Sequence, residues 1–229
     1  MNPLLHGLAL GLILTPLCSA ESAAWPGWRG DGSGVWSVQV TEAKLRDISP
    51  RLLWKKPLGK GFGGISVTQG RLMVMDREEK PEEKERLHCL HPDTGALRWE
   101  KYWPVTYGSM GGYSTGPRST VLQTADLGYA LGATGRLVAF ELETGKVRWE
   151  LDAVKDLDAV MPQWGYAGSP VLHGGKLLVH LGLRDGQGSV VALDSATGKK
   201  LWTGGKDAAG YSAPQPFQTA VLQWGPNLV

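Results

Sequence analysis

The sequence predicts an all-β fold, a β-propeller of four-stranded antiparallel blades. Three observations predict it. The 229 residues hold 32 glycines and 10 tryptophans but only 3 phenylalanines. A Thr-Gly pair followed four residues later by Trp recurs about every fifty residues. Short strand candidates lie upstream of each recurrence. Abundant glycine supplies turns, and tryptophan at a fixed interval supplies one repeated packing slot. A period near fifty suits a blade of four short strands.

Residues 1–24 read as an export signal and its cleavage region. Residues 8–17 are mostly apolar but too few to span a bilayer, and Cys18-Ser19-Ala20 and Ser22-Ala23-Ala24 both offer small residues for cleavage. The start carries no Lys or Arg, only the amino terminus and His6. Leu17 stands where a small residue normally precedes a lipidated Cys18, which argues against a lipid anchor. A periplasmic or secreted location follows, with no transmembrane segment after cleavage. Cleavage removes Cys18, so Cys89 has no internal partner and stability must come from packing.

Residues 25–50 form a leader, and residues 51–229 a partial propeller. Blades are expected at about 62–102, 113–151 and 166–204, with another starting at 211–229. The repeat is carried by three gapless segments: Cys89-Leu90-His91-Pro92-Asp93-Thr94-Gly95 running to Trp99, Ala139-Phe140-Glu141-Leu142-Glu143-Thr144-Gly145 to Trp149, and Ala192-Leu193-Asp194-Ser195-Ala196-Thr197-Gly198 to Trp202. Each reads as strand, turn, strand. Glycine takes a positive φ at the turn without a Cβ clash, and Trp buries a large ring while keeping an N–H to donate.

Upstream strands are expected at 65–68 and 71–75, at 119–122 and 128–131, and at 169–172 and 176–181. Arg51-Leu52-Leu53-Trp54 reads as a blade's last strand without its first three. Tyr211-Ser212-Ala213-Pro214 opens a blade that is not completed. Three and a half blades leave sheet edges open, so a piece of a longer product is expected.

A net charge of +2 with no basic stripe gives no case for nucleic acid. His88-Cys89-x-His91 is a poor metal site, because positions 88 and 91 of a strand point to opposite faces. Cys89 occupies the slot of Ala139 and Ala192 and reads as an inert buried thiol. Asp31-Gly32-Ser33-Gly34 reads as a turn, and the charged run 77–86 as a solvated hairpin loop with room for a partner contact.

The Ala-x-Asp/Glu-x-x-Thr-Gly-x-x-x-Trp units at 139–149 and 192–202, with a degenerate copy at 89–99, resemble the tryptophan-docking motif of pyrroloquinoline-quinone (PQQ)-like repeat propellers. Trp25-Pro26-Gly27-Trp28-Arg29-Gly30-Asp31 resembles the leader of such proteins. The resemblance implies a ring of eight blades, about three and a half of them here, with Trp54, Trp99, Trp149 and Trp202 packed on neighbouring turns at Gly95, Gly145 and Gly198. It also implies either a dehydrogenase holding PQQ with Ca²⁺ or a propeller without quinone. No adjacent Cys pair exists, and the two Asn, Asn2 and Asn227, lie at opposite extremes. No ligand set carries over, and no cofactor is evident.

The leading expectation is therefore a non-catalytic exported module that binds a protein, peptide or glycan partner through its inter-blade loops. The alternative is a PQQ-dependent alcohol or sugar dehydrogenase whose ligands lie in a missing C-terminal half. Candidate ligand-binding residues are Tyr113, Trp164, Tyr166 and Tyr211, which join aromatic area to polar tips. The competing expectation is that the three tyrosines share one packing position.

Overall fold

The computed structural model describes residues 24–35, 46, 49, 51–108, 110, 116–217 and 220–222. Three four-stranded antiparallel sheets follow one another along the chain. The first joins β1 (Ser66–Thr68), β2 (Arg71–Glu78), β3 (Lys84–Leu90) and β4 (Leu97–Pro104). The second joins β5 (Leu122–Gln123), β6 (Leu127–Leu131), β7 (Arg136–Glu141) and β8 (Val147–Asp152). The third joins β9 (Val171–His173), β10 (Lys176–His180), β11 (Val190–Asp194) and β12 (Lys200–Gly204). A pair, β13 (Gln215–Phe217) and β14 (Ala220–Leu222), begins a fourth unit. A short helix, α1 (Ala153–Asp156), follows β8, its first turn capped by the Asp152 carboxylate.

The repeat is exact in register. Cys89 pairs with Trp99, Ala139 with Trp149 and Ala192 with Trp202, and each ladder shifts immediately afterwards. The shift leads into a five-residue turn. The N–H of Gly95, Gly145 and Gly198 donates to the carbonyl of His91, Glu141 and Asp194 at 2.8, 2.8 and 2.9 Å. Those glycines have φ of +68°, +67° and +74°, where a Cβ is strained. The preceding Thr hydroxyl accepts the N–H of the residue after each glycine.

The core lies between sheets. Met73, Met75, Leu87 and Cys89 of the first sheet meet Val138 and Phe140 of the second. Leu131, Leu137 and Tyr129 of the second meet Leu177, Val179, Val191 and Leu193 of the third. Trp54 Nε1 donates to Pro92 O at 2.7 Å, Trp99 Nε1 to Leu142 O at 3.0 Å and Trp149 Nε1 to Ser195 O at 2.9 Å. The rings lie against Gly95, Gly145 and Gly198, where a Cβ would stand 2.6–2.7 Å from an indole carbon. Trp202 is 39 % exposed, and no turn glycine of a further unit lies against it among the described residues.

The leader pairs with the first sheet's innermost strand through Trp25 and Val67, and Gln123 N donates to Pro26 O at 2.7 Å. It therefore covers the inner edges of the first two sheets. Asp31 accepts the Ser33 N–H, closing the expected turn.

Three expectations are corrected. Residues 51–54 form no strand: no neighbouring strand lies beside them among the described residues, and an isolated strand has no ladder to hold it. The run 77–86 is mostly paired strand rather than solvated loop; Arg77 pairs with Glu85 and Glu78 with Lys84, leaving a loop of only 79–83. Trp103, just past the expected end of the first blade at 102, lies in β4 and is buried.

On the first sheet's other face, Asp76 meets Arg86, His88 and Gly59 N at 2.5–3.0 Å. Burial alone would raise its carboxyl pKa. The His88 and Arg86 hydrogen bonds and the Gly59 N–H outweigh burial and hold it well below the usual range. His88 also lies 2.9 Å from Glu100. It is thus held between carboxylates of its own sheet. Cys89 is fully buried, and burial pushes its thiol up to about 11. At neutral pH that thiol is protonated.

Candidate functional site

The segments that cross from one sheet to the next carry the candidate aromatics. In the second crossing, Gly165 N donates to Pro162 O at 2.8 Å, closing a tight turn with Trp164 third of four. Gly165 has φ +74°, and a Cβ there would stand 2.6 Å from Ala133 O. Only glycine lets the chain pass that close. Tyr166 N then donates to Ala133 O at 2.8 Å, fastening the turn to the second sheet. Trp164 is held outward by anchored backbone on its C-terminal side and remains 42 % exposed.

The third crossing supplies the partner ring. Ala209 and Ala213 are buried, and Gly210 N donates to His180 Nε2 at 3.2 Å. Between these anchors Tyr211 is 38 % exposed. Its ring centroid lies 5.2 Å from that of Trp164, with planes inclined by 34°. Two crossings are thus bridged by one tilted aromatic pair. The second crossing also exposes Val160 and Met161.

Tyr166 has a different place from Tyr211. It is 1 % exposed and packs over Gly135 in the core between the second and third sheets. Burial, reinforced by the Asp152 charge, raises its phenol pKa. A side chain so enclosed offers no surface to a ligand, which corrects the expectation for Tyr166. It also breaks the supposed equivalence with Tyr211. Tyr113 lies outside the described residues.

Sequence reasoning missed a fully buried carboxylate. Glu85 is fully buried and accepts from Trp103 Nε1 at 2.8 Å, from Ala133 N at 2.9 Å and from the Tyr107 hydroxyl. Burial raises its carboxyl pKa, against these three donors and the nearby Arg77 charge. Arg77 lies 4.3 Å over the Tyr107 ring and 2.5 Å from Glu83. The carboxylate ties the first sheet, the first crossing and the Ala133 turn together. A signal was available: Glu85, Leu87 and Cys89 share one strand parity, so extending the alternation places Glu85 inside.

His180 Nε2 is occupied by Gly210 N–H, and burial lowers the ring's pKa despite backbone hydrogen bonds that favour the cation. The unfolded ring takes a proton as pH falls below about 6.5, while the folded ring resists it. Stability is therefore expected to fall on acidification from about 6.5 down towards the lower folded pKa. Urea midpoints at pH 7.5 and 5.5 check this, and His180→Gln should remove that part of the drop.

Among the described residues, no group of three or more His, Cys, Asp or Glu side chains is placed to hold a metal ion. Calcium needs several converging oxygens. Among the described residues, too, no helix is long and apolar enough to cross a membrane.

The family described as "Outer membrane protein assembly factor BamB" (PQQ_2) matches residues 29–210. Quinohemoprotein alcohol dehydrogenase from Comamonas testosteroni is similar in structure, with TM-score 0.56 and 19 % identity over 80 % of this chain and 27 % of that one. A europium-containing methanol dehydrogenase gives 0.50 and 19 %, over 69 % of this chain and 27 % of that one. BamB from Moraxella catarrhalis gives 0.43 and 18 %, over 69 % and 42 %. The chain thus spans less than half the length of each. These likenesses concern the fold. The search of curated proteins gave no match.

Proposed function

Because the chain belongs to the PQQ-like repeat family described by BamB, we propose that it is part of an exported, non-catalytic propeller that binds a protein partner through its inter-blade loops. The observation that carries this reading is the exposed Trp164–Tyr211 pair, set on anchored crossings. Aromatic rings held rigidly at a surface give contact area at little entropic cost, and such rings dominate binding energy in interfaces. The family description favours a protein over a glycan as the partner. Periplasmic or secreted location is part of the same proposal, resting on residues 1–24.

The test is capture of envelope proteins by the immobilised chain. Trp164→Ala with Tyr211→Ala should reduce capture at least tenfold, about 1.4 kcal/mol or more, while the melting temperature stays within about 2 °C. Unchanged capture, or a collapse of stability, removes the pair from the binding role. The dehydrogenase alternative is addressed separately: full-length protein is incubated with PQQ and Ca²⁺ and assayed for alcohol oxidation with an artificial acceptor. Turnover would overturn the non-catalytic reading.

A further inference from the structure

The rim between the first two sheets is open where the next rim is filled. Leu87 pairs with Lys101 across β3 and β4, and Leu137 pairs with Leu151 across β7 and β8, so Lys101 and Leu151 hold equivalent places two residues after the repeat Trp. Leu151 is half-buried and packs against the core shared by the second and third sheets. Lys101 is exposed. Beneath it lies a groove of about 180 Å³, floored by Leu87, Val138 and Phe140 and walled by Tyr102 and Trp103. An apolar space of about 150 Å³ holds a benzene-sized group.

Polar features at the same groove narrow the occupant. Arg136 lines it, pairing with Glu150 at 2.5 Å and standing 5.9 Å from the Trp103 ring. Glu150 is already engaged with Arg136, which leaves the Lys101 ammonium as the rim's uncompensated charge. Between the next two sheets the filling leucine stands between Glu150 and Asp152, an apolar side chain with acidic neighbours.

We infer that this groove seats one aliphatic or aromatic side chain of a partner polypeptide whose flanking residue is acidic. Its acidic neighbour meets the Lys101 ammonium. This surface is separate from the Trp164–Tyr211 pair, so either reading can fail alone.

The probe is the capped hexapeptide with the sequence of residues 148–153, Arg-Trp-Glu-Leu-Asp-Ala, titrated into the intact chain by ¹H–¹⁵N NMR. Saturable shifts are expected at the Trp103 indole N–H and at the amides of Tyr102, Phe140 and Arg136. Replacing the peptide's leucine by aspartate should weaken binding at least tenfold. Lys101→Leu, which supplies the chain's own filling side chain, should weaken it equally and leave distant resonances unmoved. Tyr102→Asp serves as a second variant at an exposed position. Absence of saturable shifts, equal binding of the aspartate peptide, or indifference to both variants would overturn the inference. A dimer in sedimentation equilibrium that Lys101→Leu dissolves would assign the groove to a second copy and overturn it as well.

Discussion

Glu85→Ala is expected to lower unfolding free energy by about 3–5 kcal/mol, the range seen when one partner of a buried polar network is removed. The substitution strands the Trp103 indole N–H, the Ala133 N–H and the Tyr107 hydroxyl, all turned towards one carboxylate. A domain's total stability is about 5–15 kcal/mol, so a loss of that size leaves little in reserve. Glu85→Gln should also destabilise, by about 1–3 kcal/mol. One carboxylate oxygen accepts from Trp103 and the other from Ala133 and Tyr107, so an amide NH₂ in either orientation faces a donor. Urea unfolding of both variants at pH 7.5 checks this. A Gln variant as stable as the parent would mean that Glu85 is already protonated in the folded chain.

Trp149→Ala should cost about 2–4 kcal/mol, somewhat below the range for a fully enclosed Trp because the ring is half-buried. It removes the ring lying on Gly198, the N–H donated to Ser195 O and a contact with Tyr129 at 6.1 Å. Those partners span the second and third sheets, so the loss falls on the joint between blades. Gly198→Ala attacks the same joint from the other side, because its Cβ would stand 2.7 Å from the indole at a φ of +74°. The double variant should cost much less than the two separate losses added together, since they share one contact. In the same chain Trp202→Ala should cost about 1 kcal/mol or less, its ring being 39 % exposed. Equal effects at Trp149 and Trp202 would defeat the idea that the indole acts by wedging into the next blade.

The contrast between Tyr166 and Tyr211 shows where legibility ended. Both stand at the start of a similar sequence, yet one is enclosed and the other exposed. The difference comes from the turn that each crossing meets. Tyr166 reaches a tight turn with Gly135 beneath it. The third sheet's corresponding turn is longer, running through a 3₁₀ segment at Arg184–Gly186, and the chain passes it at Ala209 instead. Sequence alignment compares a residue with its repeat partner, whereas burial depends on the neighbour across the sheet boundary. The charged run 77–86 misled for a related reason. Its composition suggested solvent, but the strand period carried on through it, and charges at alternate positions found partners inside.

What the sequence determined by itself was whatever is local and repeated. A glycine at positive φ, a threonine beside it, a small residue opposite Trp and a leader turn at Asp31 are fixed by short-range sterics and hydrogen bonds, so their spacing announces four-stranded blades. Which exposed aromatics meet, that Glu85 is buried, and that one rim groove is filled by Leu151 while its neighbour stays open beneath Lys101 were decided by tertiary packing. Each of these depends on pairs of residues tens of positions apart, brought together only when one sheet closes over the next.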